Sequence, residues 1–213
     1  MPSTDASGNS QYFEADPSAT SNPRTLELVL PDVFLTLNTD SGVFSAAGVD
    51  KGTRYLLQEH PEIPSGTNTI LDLGCGYGPI ALSAAKRAAD ADVWGVDVNN
   101  RALGLARSNA ETNDIANVQF GTADELPPDL SFDLILSNPP IRIGKQALHE
   151  LLTTWLDRLT PKGRAWMVVQ KHLGSDSLAD WLTSNGWATT RLGSRKGFRI
   201  LETQARTQEG PNE

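Results

Sequence analysis

A chain of 213 residues with a net charge of −8 is too acidic to coat nucleic acid nonspecifically, and its size suits one sizeable core rather than two. No apolar run approaches the ~20 residues of a membrane-spanning helix. The amino terminus is polar rather than signal-like, and the single cysteine suits a reducing, cytoplasmic setting.

Residues 1–19 are rich in Ser, Asp, Gly and Asn, so a flexible segment is expected there, with Tyr12 and Phe13 as the only anchors. A single domain is expected over 20–203 and a frayed tail over 204–213. Leu26 to Leu30 and Val33 to Leu37 flank Pro31-Asp32 and read as a small hairpin added ahead of the core sheet. A helical pattern runs from Val49 to about His60, with Asp50, Lys51, Gly52 and Thr53 at its start. Standing just before the central strand, its amino terminus is placed to cover a ligand.

From Ile70 the pattern alternates. Apolar strands begin at Ile70, Asp92, Val118, Phe132 and Ala165, and helices are expected over 80–88, 101–113, 146–159 and 177–184, with a turn at Pro161-Lys-Gly163. Two closing strands, Trp187 to Leu192 and Phe198 to Glu202, are joined by the basic turn Gly193 to Gly197. Such alternation predicts an α/β fold with a doubly wound, mostly parallel seven-stranded sheet, its last hairpin placing an antiparallel strand in the sheet. Charge is uneven along this order: residues 1–130 hold seven Lys/Arg against 18 Asp/Glu, and residues 131–213 hold 11 against eight.

Ile70-Leu-Asp-Leu-Gly-Cys-Gly-Tyr-Gly-Pro79 reads as a strand, a tight turn and a helix start. Gly74, Gly76 and Gly78 let the backbone turn sharply and approach a ligand at the helix amino terminus. Asp97 closes the next strand about 20 residues on, where doubly wound folds hold a ribose diol. Pro79 stands where a dinucleotide fingerprint needs its third glycine, which disfavours NAD. Asp72 would repel a pyrophosphate but suits the cationic amino and sulfonium groups of S-adenosylmethionine. Cys75 is a packed small side chain rather than a nucleophile, because no histidine lies near it in sequence. His149 and His172 show no metal spacing with it, and no metal is expected.

Asn138-Pro139-Pro140 follows the fourth parallel strand at the carboxyl edge of the sheet. Two prolines stiffen the backbone, so that the Asn138 carboxamide and the Pro139 carbonyl can both accept from one exocyclic amine, drawing its nitrogen toward a tetrahedral shape. Basic residues gather after Phe132, with Arg142, Lys145, Arg195 and Lys196 in or near loops, which suggests a local rim for phosphates.

Together, Gly42-Val-Phe-Ser45 with Asp50 and Gly52, Asp72 to Gly78, Asp97, Asn138-Pro-Pro140 and Gly197-Phe-Arg199 make the chain resemble the methyltransferase small-domain family over about Tyr12 to Glu202. The resemblance implies a class I, S-adenosylmethionine-dependent methyltransferase acting on a guanine N2 amine of ribosomal RNA, the small-subunit RNA being expected. It implies cofactor contacts from Asp72, Gly74, Cys75, Gly76, Gly78, Asp97, Val98, Asp124, Asn138, Phe44, Asp50 and Gly52, with Asp124 against the adenine. Chemistry falls to Asn138, Pro139 and Pro140, and substrate contacts to Phe44, Ile141, Arg142, Lys145, Arg195 and Lys196. Members with known RNA substrates usually carry an aromatic residue where Ile141 stands, so Phe44 or the Arg142 guanidinium has to stack on the base. An adenine N6 amine, a protein glutamine side chain, or cofactor binding without catalysis are the alternatives. A monomer or weak homodimer with no membrane partner is expected.

Overall fold

A computed structural model of the protein describes residue 15 and residues 17–206. Its elements are β1 (Arg24–Val29), β2 (Phe34–Thr39), α1 (Lys51–Glu59), β3 (Thr69–Leu73), α2 (Pro79–Arg87), β4 (Asp92–Val96), α3 (Asn100–Thr112), β5 (Val118–Gly121), β6 (Phe132–Ser137), α4 (Lys145–Leu156), β7 (Leu159–Gln170), α5 (Ser175–Ser184), β8 (Thr189–Arg195) and β9 (Phe198–Gln204). Seven strands form one sheet in the order β5-β4-β3-β6-β7-β9-β8, parallel except for β9, which runs antiparallel to both β7 and β8. The doubly wound sheet and its hairpin addition are as the alternation predicts.

Alternation along each central strand sends successive side chains to opposite faces, and both faces are covered. Ile70, Leu134, Leu136, Trp166 and Val168 pack with α1, α2, α3 and the β1–β2 hairpin. Leu71, Leu73, Ile135, Met167 and Val169 pack with α4 and α5. The order changes direction at β3 and β6, so a crevice opens between their carboxyl ends, the place where open α/β sheets bind ligands.

The hairpin is fastened by two asparagines one helical turn apart, Asn109 on α3 and Asn113 at its C-cap. Asn109 Oδ1 accepts the Asn38 backbone N–H at 2.7 Å, and its Nδ2 donates to the Asn38 carbonyl at 2.9 Å. Asn113 does the same for Thr36, at 3.0 and 2.8 Å. Spaced i and i+4 on the helix, the two amides meet residues i and i+2 of the strand and satisfy its open edge. At the hairpin turn Asp32 accepts two guanidinium bonds from Arg87, at 2.7 and 2.8 Å, which ties it to the end of α2.

Several expectations need correction. Residues 1–14, 16 and 207–213 lie outside the described residues, and so do Tyr12 and Phe13. The described part of the amino-terminal segment is docked: Pro17 is buried, and Arg101 donates to the Ala19 and Ser41 carbonyls at 2.8 and 2.7 Å. The passage from α4 to β7 is earlier than expected, because α4 ends at Leu156 and β7 begins at Leu159. Pro161-Lys-Gly163 lies inside that strand as a bulge: the register steps from Phe132–Leu159 to Leu134–Arg164. A proline without an N–H belongs at such an interruption. β8 starts at Thr189 rather than at Trp187, whose indole is buried against α5. β9 extends to Gln204, and Arg206 beyond it lies over the Trp187 ring, 3.6 Å from its centroid.

Candidate active site

The turn after β3 owes its shape to backbone conformations that side chains resist. Gly74, Gly76 and Gly78 have φ of 76°, 55° and 93°. The Gly74 and Cys75 N–H groups both reach the Val96 carbonyl, at 2.8 and 3.0 Å, which draws the turn against the end of β4. Cβ atoms added at Gly74 and Gly76 would meet nothing within 4 Å, so the surface of this turn faces open space. At Gly78 a Cβ would stand 3.3 Å from Leu82 and 3.4 Å from Ala106, so that glycine permits close packing of α2 and α3 instead.

Above the turn lies a cavity of about 430 Å³, walled at one end by Leu73, Gly74, Gly76, Val96, Asp97 and Val98. Asp97 Oδ2 accepts the Gly76 N–H at 2.8 Å and Oδ1 accepts the Asn99 N–H at 2.9 Å. Burial pushes its carboxyl upward, and the Asn99, Gly76 and Val98 N–H groups oppose that shift. Each oxygen keeps a further lone pair for a ligand hydroxyl. Open glycines beside a braced carboxylate are the surroundings a nucleoside ribose needs, so the residues fit the nucleoside of S-adenosylmethionine.

At the other end the wall is formed by Phe44, Asn138, Pro139, Pro140, Ile141 and Arg142, backed by Leu151, Trp155, Val168, Gln170 and Leu173. The Asn138 amide is held from one side. Its Nδ2 donates to Asp50 Oδ2 at 3.0 Å and to Thr53 Oγ1 at 3.1 Å. A carboxylate can only accept, so the amide nitrogen must face Asp50 and its oxygen is turned the other way. Asp50 is the N-cap of α1 and takes the Gly52 and Thr53 N–H groups on that same oxygen, at 2.7 and 3.1 Å. Helix α1 thus orients a carboxamide lying 85 residues away in sequence from Thr53.

Pro139 is partly engaged already. Its carbonyl accepts the Ile141 N–H at 2.8 Å, closing an inverse γ-turn around Pro140 (φ −75°, ψ 70°). One lone pair remains for a substrate amine. The turn leads into a short 3₁₀ helix, Ile141–Ile143, which leaves Ile141 half-buried and Arg142 exposed at the cavity wall. Phe44, 46% exposed, stands at the same wall and presents an aromatic ring to the cavity that Ile141 also lines.

The structure therefore brings Phe44, Asp50, Gly74, Gly76, Asp97, Val98, Asn138, Pro139, Pro140, Ile141 and Arg142 to one cavity. Others among the expected contacts stand elsewhere. Asp72 is fully buried beneath the turn, where Oδ2 accepts the Ala81 N–H at 2.9 Å and braces the start of α2. Burial, with some help from Asp97, pushes its carboxyl up to about 8 against the opposing Ala81 bond, so it is largely neutral near pH 7 and offers no full negative charge. Cys75 is buried beside a small annex of the cavity, its thiol raised chiefly by burial, which suits packing rather than nucleophilic attack. Gly52 is wedged between Asp50 and Phe198, a Cβ there standing 2.9 Å from each. Asp124 is exposed on a 3₁₀ turn whose neighbour Ala123 forms the wall.

Lys145, Arg195 and Lys196 do not line the cavity. Arg195 and Lys196 share its edge of the sheet, because β7 ends there and the antiparallel β8–β9 turn returns there, and Lys145 opens α4 just past the 3₁₀ helix that follows β6. Arg195 is paired with Glu59 at 2.8 Å, both side chains exposed, so it is not a free cation. Gln170 belongs to the site but stands out in no sequence pattern, and Thr53 reads in the sequence only as part of the helix start, with no role of its own. Among the described residues no group of three or more His, Cys, Asp or Glu is placed to hold a metal ion, and no helix is long and apolar enough to cross a membrane.

Residues 34–202 match the model of the methyltransferase small domain. The chain is 37% identical over 198 residues to the uncharacterized protein YbxB of Bacillus subtilis, covering 91% of this chain and 97% of that one. It is 32% identical over 191 residues to ribosomal RNA large subunit methyltransferase G of Shewanella oneidensis, covering 85% of this chain and 49% of the relative. A solved structure of the Thermus thermophilus 16S rRNA N2 G1207 methyltransferase RsmC, in complex with AdoMet and guanosine, superposes with a TM-score of 0.71 at 25% identity, covering 89% of this chain and 52% of that one. The chain thus spans nearly all of YbxB but about half the length of these ribosomal RNA methyltransferases.

Proposed function

The chain belongs to the methyltransferase small-domain family, and from that premise we propose that it transfers a methyl group from S-adenosylmethionine to the N2 amine of a guanine in ribosomal RNA. The observation that carries this reading is the orientation of Asn138: with Nδ2 held by Asp50 and Thr53, Oδ1 is presented as an acceptor at the apolar end of the cavity. S-adenosylmethionine, when bound, supplies a methyl group on a sulfonium, an electrophile that needs only a correctly aimed lone pair.

Gly74 and Gly76 let the nucleoside lie against backbone, and Asp97 accepts its ribose hydroxyls. At the acceptor end the base lies between Phe44 and the Ile141–Arg142 corner. Its amine donates to Asn138 Oδ1 and to the remaining lone pair of the Pro139 carbonyl. An aryl amine shares its lone pair with the ring and attacks poorly; two acceptors holding its N–H groups localise that pair and aim it. Prolines 139 and 140 keep both acceptors in place while the base enters. Arg142, Lys145 and Lys196 at the same edge hold RNA phosphates locally, while the acidic remainder of the surface disfavours other docking modes. Such a reaction belongs to the cytoplasm, where ribosomal RNA is assembled.

The same pair of acceptors would also serve an adenine N6 amine or a glutamine carboxamide. Incubation with radiolabelled S-adenosylmethionine and, separately, small subunits, large subunits, protein-free ribosomal RNA and a release factor decides among them. Label recovered as N2-methylguanosine from the small-subunit RNA is the expected result. Label in N6-methyladenosine or in the release factor would replace guanine as the acceptor, and label confined to the large subunit would reassign the RNA.

A further inference from the structure

Among the polar side chains that line the cavity, two make no hydrogen bond to any described residue, Arg142 and Gln170. Arg142 is exposed and has water. Gln170 is half-buried, beside the apolar side chains of Val168 and Leu173. A carboxamide carries two donor hydrogens and an acceptor oxygen, and here, with no protein partner and beside an apolar wall, both kinds of group are open to a ligand in the cavity.

Its position is fixed by the sheet. The β6–β7 register ends at Ser137–Met167; there β6 gives way to Asn138, whereas β7 runs three residues further, to Gln170, over the same edge. Val168 packs on the face of the sheet that also takes Leu134 and Leu136, and Gln170, two residues on, returns to that face. Its backbone pairs with Phe198 of β9, and Phe198 packs on Gly52 of the helix that holds Asn138. Asn138 and Gln170 thus stand on neighbouring strands above one cavity, each anchored to the same helix end.

We propose that Gln170 is the specificity-determining residue for the acceptor base, reading the ring edge next to the amine that Asn138 holds. This rests on the guanine reading above. In guanine the positions beyond the N2 amine are the N1–H donor and the O6 acceptor, and one carboxamide matches both, Oε1 accepting from N1–H and Nε2 donating to O6. Adenine with its N6 amine against Asn138 presents there a bare N1 acceptor followed by a C–H, so a carboxamide finds one partner at most. Asn138 selects an amine; Gln170 selects the purine that carries it.

The test is equilibrium binding of guanosine, 1-methylguanosine and adenosine to the protein saturated with S-adenosylhomocysteine, for the parent, Gln170→Leu and Gln170→Glu. The parent should prefer guanosine over both competitors by about tenfold or more, the discrimination of one good bidentate pair. Gln170→Leu should lose that preference, and Gln170→Glu, which still accepts from N1–H but repels O6, should fall between. Both variants should bind S-adenosylhomocysteine as the parent does, which verifies their fold. If Gln170→Leu keeps the parent's preference for guanosine over 1-methylguanosine, the assignment of Gln170 is overturned while the guanine reading stands. If the parent binds no guanosine, or does not prefer it to adenosine, the guanine reading falls and this assignment with it.

Discussion

The end of the cavity that we assign to the cofactor is made by one continuous turn, Leu73 to Gly76, and the tip of the adjacent strand, Val96 to Val98; it offers a glycine backbone surface and one carboxylate. The end that we assign to the acceptor is assembled from the loop at Phe44, the start of α1, the Asn138-Pro-Pro corner, α4 and the end of β7, and apart from the Pro139 carbonyl it offers side chains. Backbone contacts of the first kind fix a shape that every nucleoside of this class shares. Contacts of the second kind can be exchanged one at a time without disturbing the sheet. Each property should therefore be breakable at its own place: cofactor affinity at Asp97, turnover at Asn138, acceptor choice around it.

The sharpest break is expected at Asn138. Asn138→Ala removes an acceptor that acts on the amine as it becomes nucleophilic, so turnover should fall by about 10²–10³, the usual effect of deleting one preorganised polar group at a reacting centre. Cofactor affinity measured by calorimetry should stay near the parent's, because the nucleoside lies against the other end. A parental rate would mean that something else orients the amine.

Asp97→Ala should do the reverse. Loss of a carboxylate that accepts ribose hydroxyls costs about 1.5–3 kcal/mol per charge-assisted bond, roughly ten- to a hundredfold in affinity. Some loss of stability should accompany it, since the Gly76 and Asn99 N–H groups lose their acceptor. Unchanged cofactor affinity would remove Asp97 from the nucleoside site.

These two ends also differ in how much of them could be read from the chain. Gly74, Gly76 and Asp97 announce themselves because the turn is local and the acid lies one strand further on. The motif does not say which of its members touch the ligand and which build the turn. Asp72, Gly78 and Cys75 are builders: the first braces α2, the second lets α2 approach α3, the third fills the gap behind. Asp124 was displaced by its neighbour because a 3₁₀ turn rotates one residue in three toward the wall. At the acceptor end Asn138 was legible from its prolines, but the bond it makes to Thr53 was not, since the helix start that carries Thr53 is local and its meeting with residue 138 is not. Gln170 needs the order of the strands before it means anything. The clamp of Asn109 and Asn113 was equally hidden, because two polar residues spaced i and i+4 look like any solvated helix face.

Asp72 lies beneath the glycine turn rather than at either end, and its burial gives a pH test of the floor of the cavity. Its carboxyl ionises near 3.8 when unfolded and near 8 in the fold. Between those values the unfolded chain binds fewer protons than the native one, so this group makes stability fall as pH rises, by about 1.4 kcal/mol per pH unit where it acts alone. Asp72→Asn keeps an oxygen for the Ala81 N–H but cannot ionise. Denaturant unfolding from pH 5 to pH 8 should show a flatter decline for the variant than for the parent, whatever their absolute difference at pH 5. Parallel slopes would mean that water or local opening keeps Asp72 ionised in the native state.

The smallest expected effect separates holding the carboxamide from holding the cofactor. Thr53 is buried, and its hydroxyl is one of two acceptors that keep the Asn138 amide nitrogen turned away from the substrate. Thr53→Val preserves shape and β-branching while deleting that acceptor, a change of about 1 kcal/mol for a neutral hydrogen bond, hence about fivefold in rate. The loss should fall on kcat with KM for the cofactor unchanged, because the amide samples the wrong orientation without losing the site. Asp50→Asn makes the opposite comparison. Asparagine caps a helix nearly as well as aspartate, and its carbonyl can accept from Asn138, so the orientation survives while the charge at the cavity wall is lost. Its effect should appear in KM for the cationic cofactor rather than in kcat. Should Thr53→Val leave kcat untouched and Asp50→Asn lower it, the orientation of Asn138 depends on the charge of Asp50 alone, and the hydroxyl is only packing.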